Sequence, residues 1–169
     1  MTSCAVGETN GMTEGALQER VYLDTNVFIR AFEGPPDEAK DFQEFFEALH
    51  QNRSYSVTSE LTLAELLAPA DRKEAVPLHM KRRFYLDLIV WSGFIDLQPV
   101  TRSILCETAD LCKVAKHKLP DAIHIVTAIR AGCKLFMSSH GDAKRLPNSM
   151  TRLRPDNQGV QTVLNALRA

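Results

Sequence analysis

From Arg20 onward, short apolar runs alternate with longer stretches in which apolar residues recur at helical spacing. VYLD (21–24) reads as a short buried strand, and the stretch from Thr25 to Phe32 as a helix stopped by Gly34-Pro35-Pro36. Asp37 is a natural N-cap for the next helix, on which Phe42, Phe45, Phe46 and Leu49 share a face. SYSVTS (54–59) is rich in strand formers, and a helix from about Ser59 to Ala68 follows, ended by Pro69. The polar segment 69–77 predicts a loop, and Leu78 to Trp91 a helix. FIDLQPV (94–100) predicts a strand, and Thr101 opens an amphipathic helix reaching about His117. After Pro120 another helix is expected from Asp121 to Gly132, a C′ glycine. CKLFMSS (133–139), an RLRP strand candidate and a helix near Gln158 to Leu167 complete the pattern. Strands separated by ten or more helical residues require crossover connections. The pattern therefore predicts an α/β fold: a three-layer α/β/α sandwich around a mostly parallel central sheet.

Composition narrows the class. A chain of 169 residues suits one domain, assigned to 20–169, preceded by a Gly/Thr/Glu-rich extension over 1–19 that carries no periodicity and is expected to be disordered. Hydrophobic residues make up 44% and charged residues 24%, which excludes disordered and fibrous classes for the chain as a whole. Lys+Arg (20) and Asp+Glu (21) nearly cancel, so any nucleic-acid contact must use a local patch rather than bulk positive charge. No apolar run approaches the roughly 18 residues of a membrane span. The first twenty residues lack the basic and apolar regions of a secretory signal. Cys4, Cys106, Cys112 and Cys133 show no CxxC spacing, so reduced thiols in a cytoplasm are expected rather than a zinc site.

In open parallel sheets, ligands bind beyond the carboxyl ends of the strands, so polar residues that close strand runs are the candidates. Asp24 closes VYLD; Ser138 and Ser139 close KLFM, with Asp142 following. Asp24 could equally serve only to cap the helix from Thr25. Glu65 lies on an otherwise apolar helix, in a stripe with Leu61, Ala64 and Ala68, where a carboxylate is costly unless compensated. A salt-bridged glutamate is the plainer alternative. Asp121 opens the apolar DAIHIVTAIRAG helix, either as a simple N-cap or as an acid aimed at the working face; His124, one turn on, either reaches the same site or packs as an ordinary core histidine. Carboxylates gathered from separate elements would repel one another without a cation. All-oxygen ligation of this kind suits Mg²⁺, with Mn²⁺ possible, and supports phosphodiester hydrolysis by a metal-activated water.

These residues resemble the motifs of the PIN-domain ribonucleases, most closely the VapC-type toxins of toxin–antitoxin pairs, over nearly the whole chain from about Val21. VYLDTNVFI is similar to the opening strand with its first acid, on Asp24, and its supporting asparagine, on Asn26. LTLAELL places the second acid on Glu65, LPDAIHIVTA the third on Asp121, and MSSHGDAKRL the hydroxyl on Ser138 or Ser139 and the fourth acid on Asp142. The resemblance implies a Mg²⁺-dependent endoribonuclease that leaves a 5′-phosphate and a 3′-hydroxyl, a cognate antitoxin that blocks the site, and a homodimer. It also implies that Asp24 and Asp121 are direct metal ligands, that Glu65 and Asp142 complete the acidic cluster, and that Asn26 and Ser138 or Ser139 hold those groups in place.

Other classes fit these residues less well. A haloacid-dehalogenase-type phosphatase needs a second aspartate two residues after the first, where this chain has Asn26. A receiver domain needs an acidic pair and a late lysine that are not evident. A silent PIN-like module binding RNA or protein, and a housekeeping PIN nuclease without an antitoxin, remain the alternatives. Lys118, Lys144 and Arg145 flank the candidate acids and are the candidate RNA-phosphate contacts, with solvated helix residues as the bland reading of the neighbouring Lys113 and Lys116.

Overall fold

The computed structural model describes residues 19–68, 76–139 and 146–168. Most of the N-terminal extension, the loop expected at 69–77 for the greater part, and Asp142, Lys144 and Arg145 lie outside the described residues. Five strands, β1 (Val21–Leu23), β2 (Ser56–Ser59), β3 (Ile95–Gln98), β4 (Leu135–Met137) and β5 (Thr151–Leu153), form one sheet in the order β3-β2-β1-β4-β5. Every pairing in it is parallel, so the sheet is fully rather than mostly parallel. The helices are α1 (Thr25–Glu33), α2 (Ala39–Gln51), α3 (Glu60–Leu67), α4 (Leu78–Leu86), α5 (Arg102–Ala115), α6 (Leu119–Arg130) and α7 (Asn157–Arg168). A π-helical turn over Asp87–Trp91 extends α4, so the expected 78–91 helix exists but widens in its last turn.

Period-2 alternation divides the central strands between two cores. Val21 and Leu23 of β1, with Leu135 and Met137 of β4, join the larger core with Phe28, Phe42, Phe45 and Leu49 and with Val160, Val163 and Leu164 of α7. Tyr22 and Phe136 point to the opposite face and pack with Ile125 and Ala128 of α6. Ile104 of α5 meets Ile123 and Val126 of α6 in a third cluster. Both faces of β1 are thus buried, which explains why VYL is wholly apolar rather than alternating. Gly159 sits where α7 passes the backbone of Arg154: a Cβ there would lie 1.8 Å from the Arg154 carbonyl oxygen.

Two helix starts differ from the sequence expectation. Asp37 does not cap α2, whose N-cap position is Glu38 without a side-chain cap. Glu38 instead accepts hydrogen bonds from the Arg30 guanidinium at 2.6 and 2.5 Å. Asp121 is not an N-cap either: α6 begins two residues earlier, with Lys118 at the cap position and Pro120 in the first turn, where a missing N–H costs nothing. No helix among the described residues is long and apolar enough to cross a membrane.

Candidate metal centre at the carboxyl end of the central strand

The strand order reverses at β1. The chain moves from β1 outward to β2 and β3 on one side, and β4 and β5 lie on the other. Such a reversal splays the connections leaving the two central strands and opens a crevice at their carboxyl ends. Asp24 follows β1 directly and Ser138 follows β4 directly, and the ladder between them extends one step beyond the strands through the hydrogen bond from Asp24 N to Met137 O, 3.1 Å.

Asp24 is buried, 4% exposed, and serves as the N-cap of α1. Its Oδ1 accepts from Thr25 N at 2.7 Å. Its Oδ2 accepts from Asn26 Nδ2 at 2.7 Å and from the Ser138 hydroxyl at 2.6 Å. Asp24 does cap the helix, and the cap leaves its second oxygen for other contacts: one oxygen meets the helix, and the other is braced from two directions. The serine ambiguity also resolves. Ser138 turns its hydroxyl inward to Asp24, while Ser139 offers its backbone N–H to Asn26 Oδ1 at 2.8 Å. Asn26 thereby ties the end of β4 to the carboxylate.

Glu65 reaches the same point from α3. Thr25 Oγ1 donates to its Oε2, and His124 Nε2 lies 3.2 Å from the same oxygen. Burial pushes the Glu65 carboxyl up, but the hydrogen bonds from His124 and Thr25 outweigh it and hold the group below the ordinary carboxylate range. Glu60, five residues earlier, stays at the surface and accepts from Val100 N at 3.2 Å.

His124 is the residue whose role the sequence left open. It is buried, and Nε2 lies 3.4 Å from Asp24 Oδ1 as well as 3.2 Å from Glu65. Its Nδ1 meets the Tyr22 hydroxyl at 2.8 Å, with Ser59 Oγ at 3.5 Å. Tyr22 is fully buried, and that burial raises its hydroxyl far above the usual tyrosine range, keeping it a neutral hydrogen-bonding group. Thr58, whose hydroxyl bonds Leu23 O at 2.8 Å and Thr62 Oγ1 at 2.9 Å, secures the carboxyl end of β2 beside this network.

Asp24, Glu65 and His124 each present one ligand atom, and the three atoms lie within 4.8 Å of one another. Two hard carboxylate oxygens and one imidazole nitrogen form a donor set suited to a divalent cation. Asp121 is half-buried in the first turn of α6, one turn before His124 and on the same helical face, but is not one of the three clustered groups. Lys118 is exposed at the start of the same helix. The histidine and Tyr22 were poorly legible beforehand because both sit in apolar runs. The signal for His124 was its three-residue offset from Asp121 on an otherwise apolar helix, and Tyr22 carried no signal beyond strand propensity.

A family model described as the PIN domain matches residues 21–148. No curated protein matches the chain significantly. Solved structures similar to it include a toxin–antitoxin complex from Klebsiella pneumoniae, at 21% identity and TM-score 0.56, with 81% of this chain and 98% of the other covered. VapBC2 from Rickettsia felis, bound to a DNA fragment from its promoter, is similar at 16% identity and TM-score 0.56, with coverage of 79% and 97%. FitAB bound to an IR36 DNA fragment is similar at 16% identity and TM-score 0.52, with coverage of 80% and 94%. At these identities the likeness is one of fold.

Proposed function

The chain belongs to the PIN-domain family, and from that premise we propose that it is a metal-dependent endoribonuclease of the VapC type, the toxin of a toxin–antitoxin pair. The observation that carries the reading is Asp24: a buried carboxylate at the switch point of the sheet, fixed by Thr25, Asn26 and Ser138 and facing Glu65. Two carboxylates that approach one another at a strand end repel, and a cation between them would offset that repulsion. The carboxylates present fit Mg²⁺ or Mn²⁺, which Asp24 and Asp121 would hold with Glu65 close to Asp24, and Asp142, outside the described residues, is the fourth acid expected from the sequence. Such an ion would supply an acidified water for attack on phosphorus and charge neutralisation at the leaving oxygen.

The protein's own contribution is positioning. Asn26 and Ser138 fix the direction of one Asp24 oxygen, so little reorganisation is needed when a cation arrives. Thr25 does the same for Glu65 through its hydroxyl, while its backbone N–H holds Asp24. Lys118, exposed at the start of α6, would contact substrate phosphates, with Lys144 and Arg145 the further candidates from the sequence, so a net charge of −1 is compatible with an RNA substrate. The similarity to structures described as a toxin–antitoxin complex, VapBC2 and FitAB supports an antitoxin partner; a homodimer is the further expectation of the family resemblance. The free thiols of Cys106, Cys112 and Cys133 suit a cytoplasmic protein.

The experiment is cleavage of end-labelled RNA by the purified full chain. Hydrolysis in Mg²⁺ or Mn²⁺, its loss in EDTA, and its loss in Asp24→Asn and Asp121→Asn proteins that still fold are the expected results. Cleavage by the doubly substituted protein in EDTA would overturn the mechanism, and RNA binding without cleavage under any metal would replace the nuclease with a binding module. Rescue of growth by the adjacent reading frame, co-expressed with this chain, tests the antitoxin.

A further inference from the structure

We propose that His124 is a metal ligand, and that its nitrogen makes this centre selective for a first-row transition-metal cation, Mn²⁺ in the test below, over Mg²⁺. The inference rests on the nuclease reading only in taking Asp24 and Glu65 as the carboxylate side of the same site.

Three observations carry it. The first is distance. Nε2 stands 3.4 Å from Asp24 Oδ1 and 3.2 Å from Glu65 Oε2. Adjacent ligands of an octahedral ion with bonds of about 2.1 Å are separated by roughly 3 Å. The imidazole and both carboxylates therefore already stand close to the spacing of neighbouring ligands around one ion.

The second is placement. His124 is 2% exposed in the middle of α6, held between the sheet and α3, so the ring cannot swing to solvent when a cation binds. A cation bridging Asp24 Oδ1 and Glu65 Oε2 would stand beside Nε2.

The third is the partner on the far side of the ring. A ligating histidine needs its other nitrogen fixed, because the hydrogen bond there sets which nitrogen keeps its lone pair for the metal. Tyr22 Oη, 2.8 Å from Nδ1, can accept as well as donate, and Ser59 is a further hydroxyl at 3.5 Å. Tyr22 Oη can therefore meet Nδ1 in either role, and with Nδ1–H donating to Tyr22 Oη the Nε2 lone pair would face the cation. An all-oxygen site suits Mg²⁺ and Mn²⁺ alike, whereas an imidazole ligand favours transition metals.

The test uses the full chain loaded with Mn²⁺ or Mg²⁺ alone. Binding is measured by calorimetry, and the Mn²⁺ form by pulsed electron paramagnetic resonance on protein carrying ¹⁵N-histidine. A directly bound histidine nitrogen appears as a coupling that changes with the isotope. His124→Gln is expected to lose about tenfold or more in Mn²⁺ affinity while Mg²⁺ affinity changes by less than about threefold. Mn²⁺ bound without histidine-nitrogen coupling in the unsubstituted protein would overturn the proposal even if His124→Gln fails to fold, and would leave the nuclease reading standing. An unsubstituted chain that binds neither cation would overturn both.

Discussion

Two regions of this protein pack aromatic and polar groups by opposite rules. At the carboxyl ends of β1 and β4, the polar atoms of Asp24, Asn26, Ser138, Glu65 and His124 are buried or half-buried, and each contact is directional. Around α1, α2 and α4, aromatic rings meet at varied angles: Phe32 with Phe84 at 4.8 Å and 70°, Phe32 with Phe46 at 5.1 Å and 41°, Phe45 with Phe46 at 5.3 Å and 83°. The aromatic region runs from Phe45, fully buried, to Phe32 and Phe84, about two-fifths exposed. Hydrophobic contact tolerates such a gradient because it scales with area and has no preferred direction. The polar region cannot, because a buried donor or acceptor that loses its partner costs the full desolvation of the group. Stability should therefore reside in one region and function in the other.

The sharpest way to break that division is Asp24→Asn. Asparagine caps a helix about as well as aspartate, so α1 should form. One of the two donors on Oδ2 would then face an amide nitrogen, at a cost of about 1–3 kcal/mol. RNA cleavage should fall to background while circular dichroism stays native. Phe45→Ala should do the reverse. Removing a fully buried phenylalanine costs about 3–5 kcal/mol, visible as a lower denaturation midpoint, while the folded fraction keeps its turnover. If Phe45→Ala lowers turnover per folded molecule as much as Asp24→Asn does, the two regions are not independent.

A smaller effect separates the groups that brace Asp24 from Asp24 itself. Ser138→Ala removes one donor and leaves the carboxylate, so metal affinity should drop by about 10–100-fold, measured by calorimetry, with cleavage restored at higher metal concentration. Restoration is the discriminating readout, because loss of a direct ligand would not be recovered in this way. Ser139→Ala should change little, since Ser139 acts through its backbone N–H.

The same contrast explains what was legible in the sequence. Strands and helices of the aromatic and central layers were readable because apolar periodicity records burial directly: VYL, the Phe42/Phe45/Phe46/Leu49 face and the Gly132 stop, with φ near +72°, all fall where expected. The parallel sheet followed from the lengths of the connections. Asp24 was legible as the polar residue closing a strand run and Glu65 as an acid where acids are costly, and the structure brings them together. The inward turn of Ser138 was not, because β4 would have to end in a known register to tell adjacent serines apart. Nor was the meeting of Tyr22 with His124, separated by 102 residues. The start of α6 at Leu119 was missed because an aspartate after a proline looks like a cap, whereas Pro120 itself occupies the first turn.

The cysteines extend the comparison from substitution to chemistry. Cys106 is exposed on α5, while Cys133 is buried against Tyr22 and Phe136, and burial pushes its thiol up to about 12. Only the thiolate reacts. At pH 8, iodoacetamide should therefore label Cys106 readily and Cys133 only as the protein unfolds, with mass spectrometry locating the adduct. Comparable labelling of Cys133 in the folded state would show that the core under α6, on which His124 rides, opens more easily than the directional network implies.

The smallest effect belongs to the rim of the aromatic region. Phe32 and Phe84 sit edge to face, yet each is substantially exposed. Replacing either with alanine forfeits only part of a phenylalanine's burial, so each single change should cost clearly less than Phe45→Ala. Their mutual contact is isolated by a double-mutant cycle: Phe32→Ala, Phe84→Ala and the pair should show a coupling of about 0.5–1.5 kcal/mol. Phe46 touches Phe32 from the other side at 5.1 Å and remains in all three variants, so it can settle into space left by Phe32 and pull the coupling toward the lower end. A coupling near zero would mean that this rim contributes area alone, and that ring geometry there is a consequence of packing rather than a source of stability.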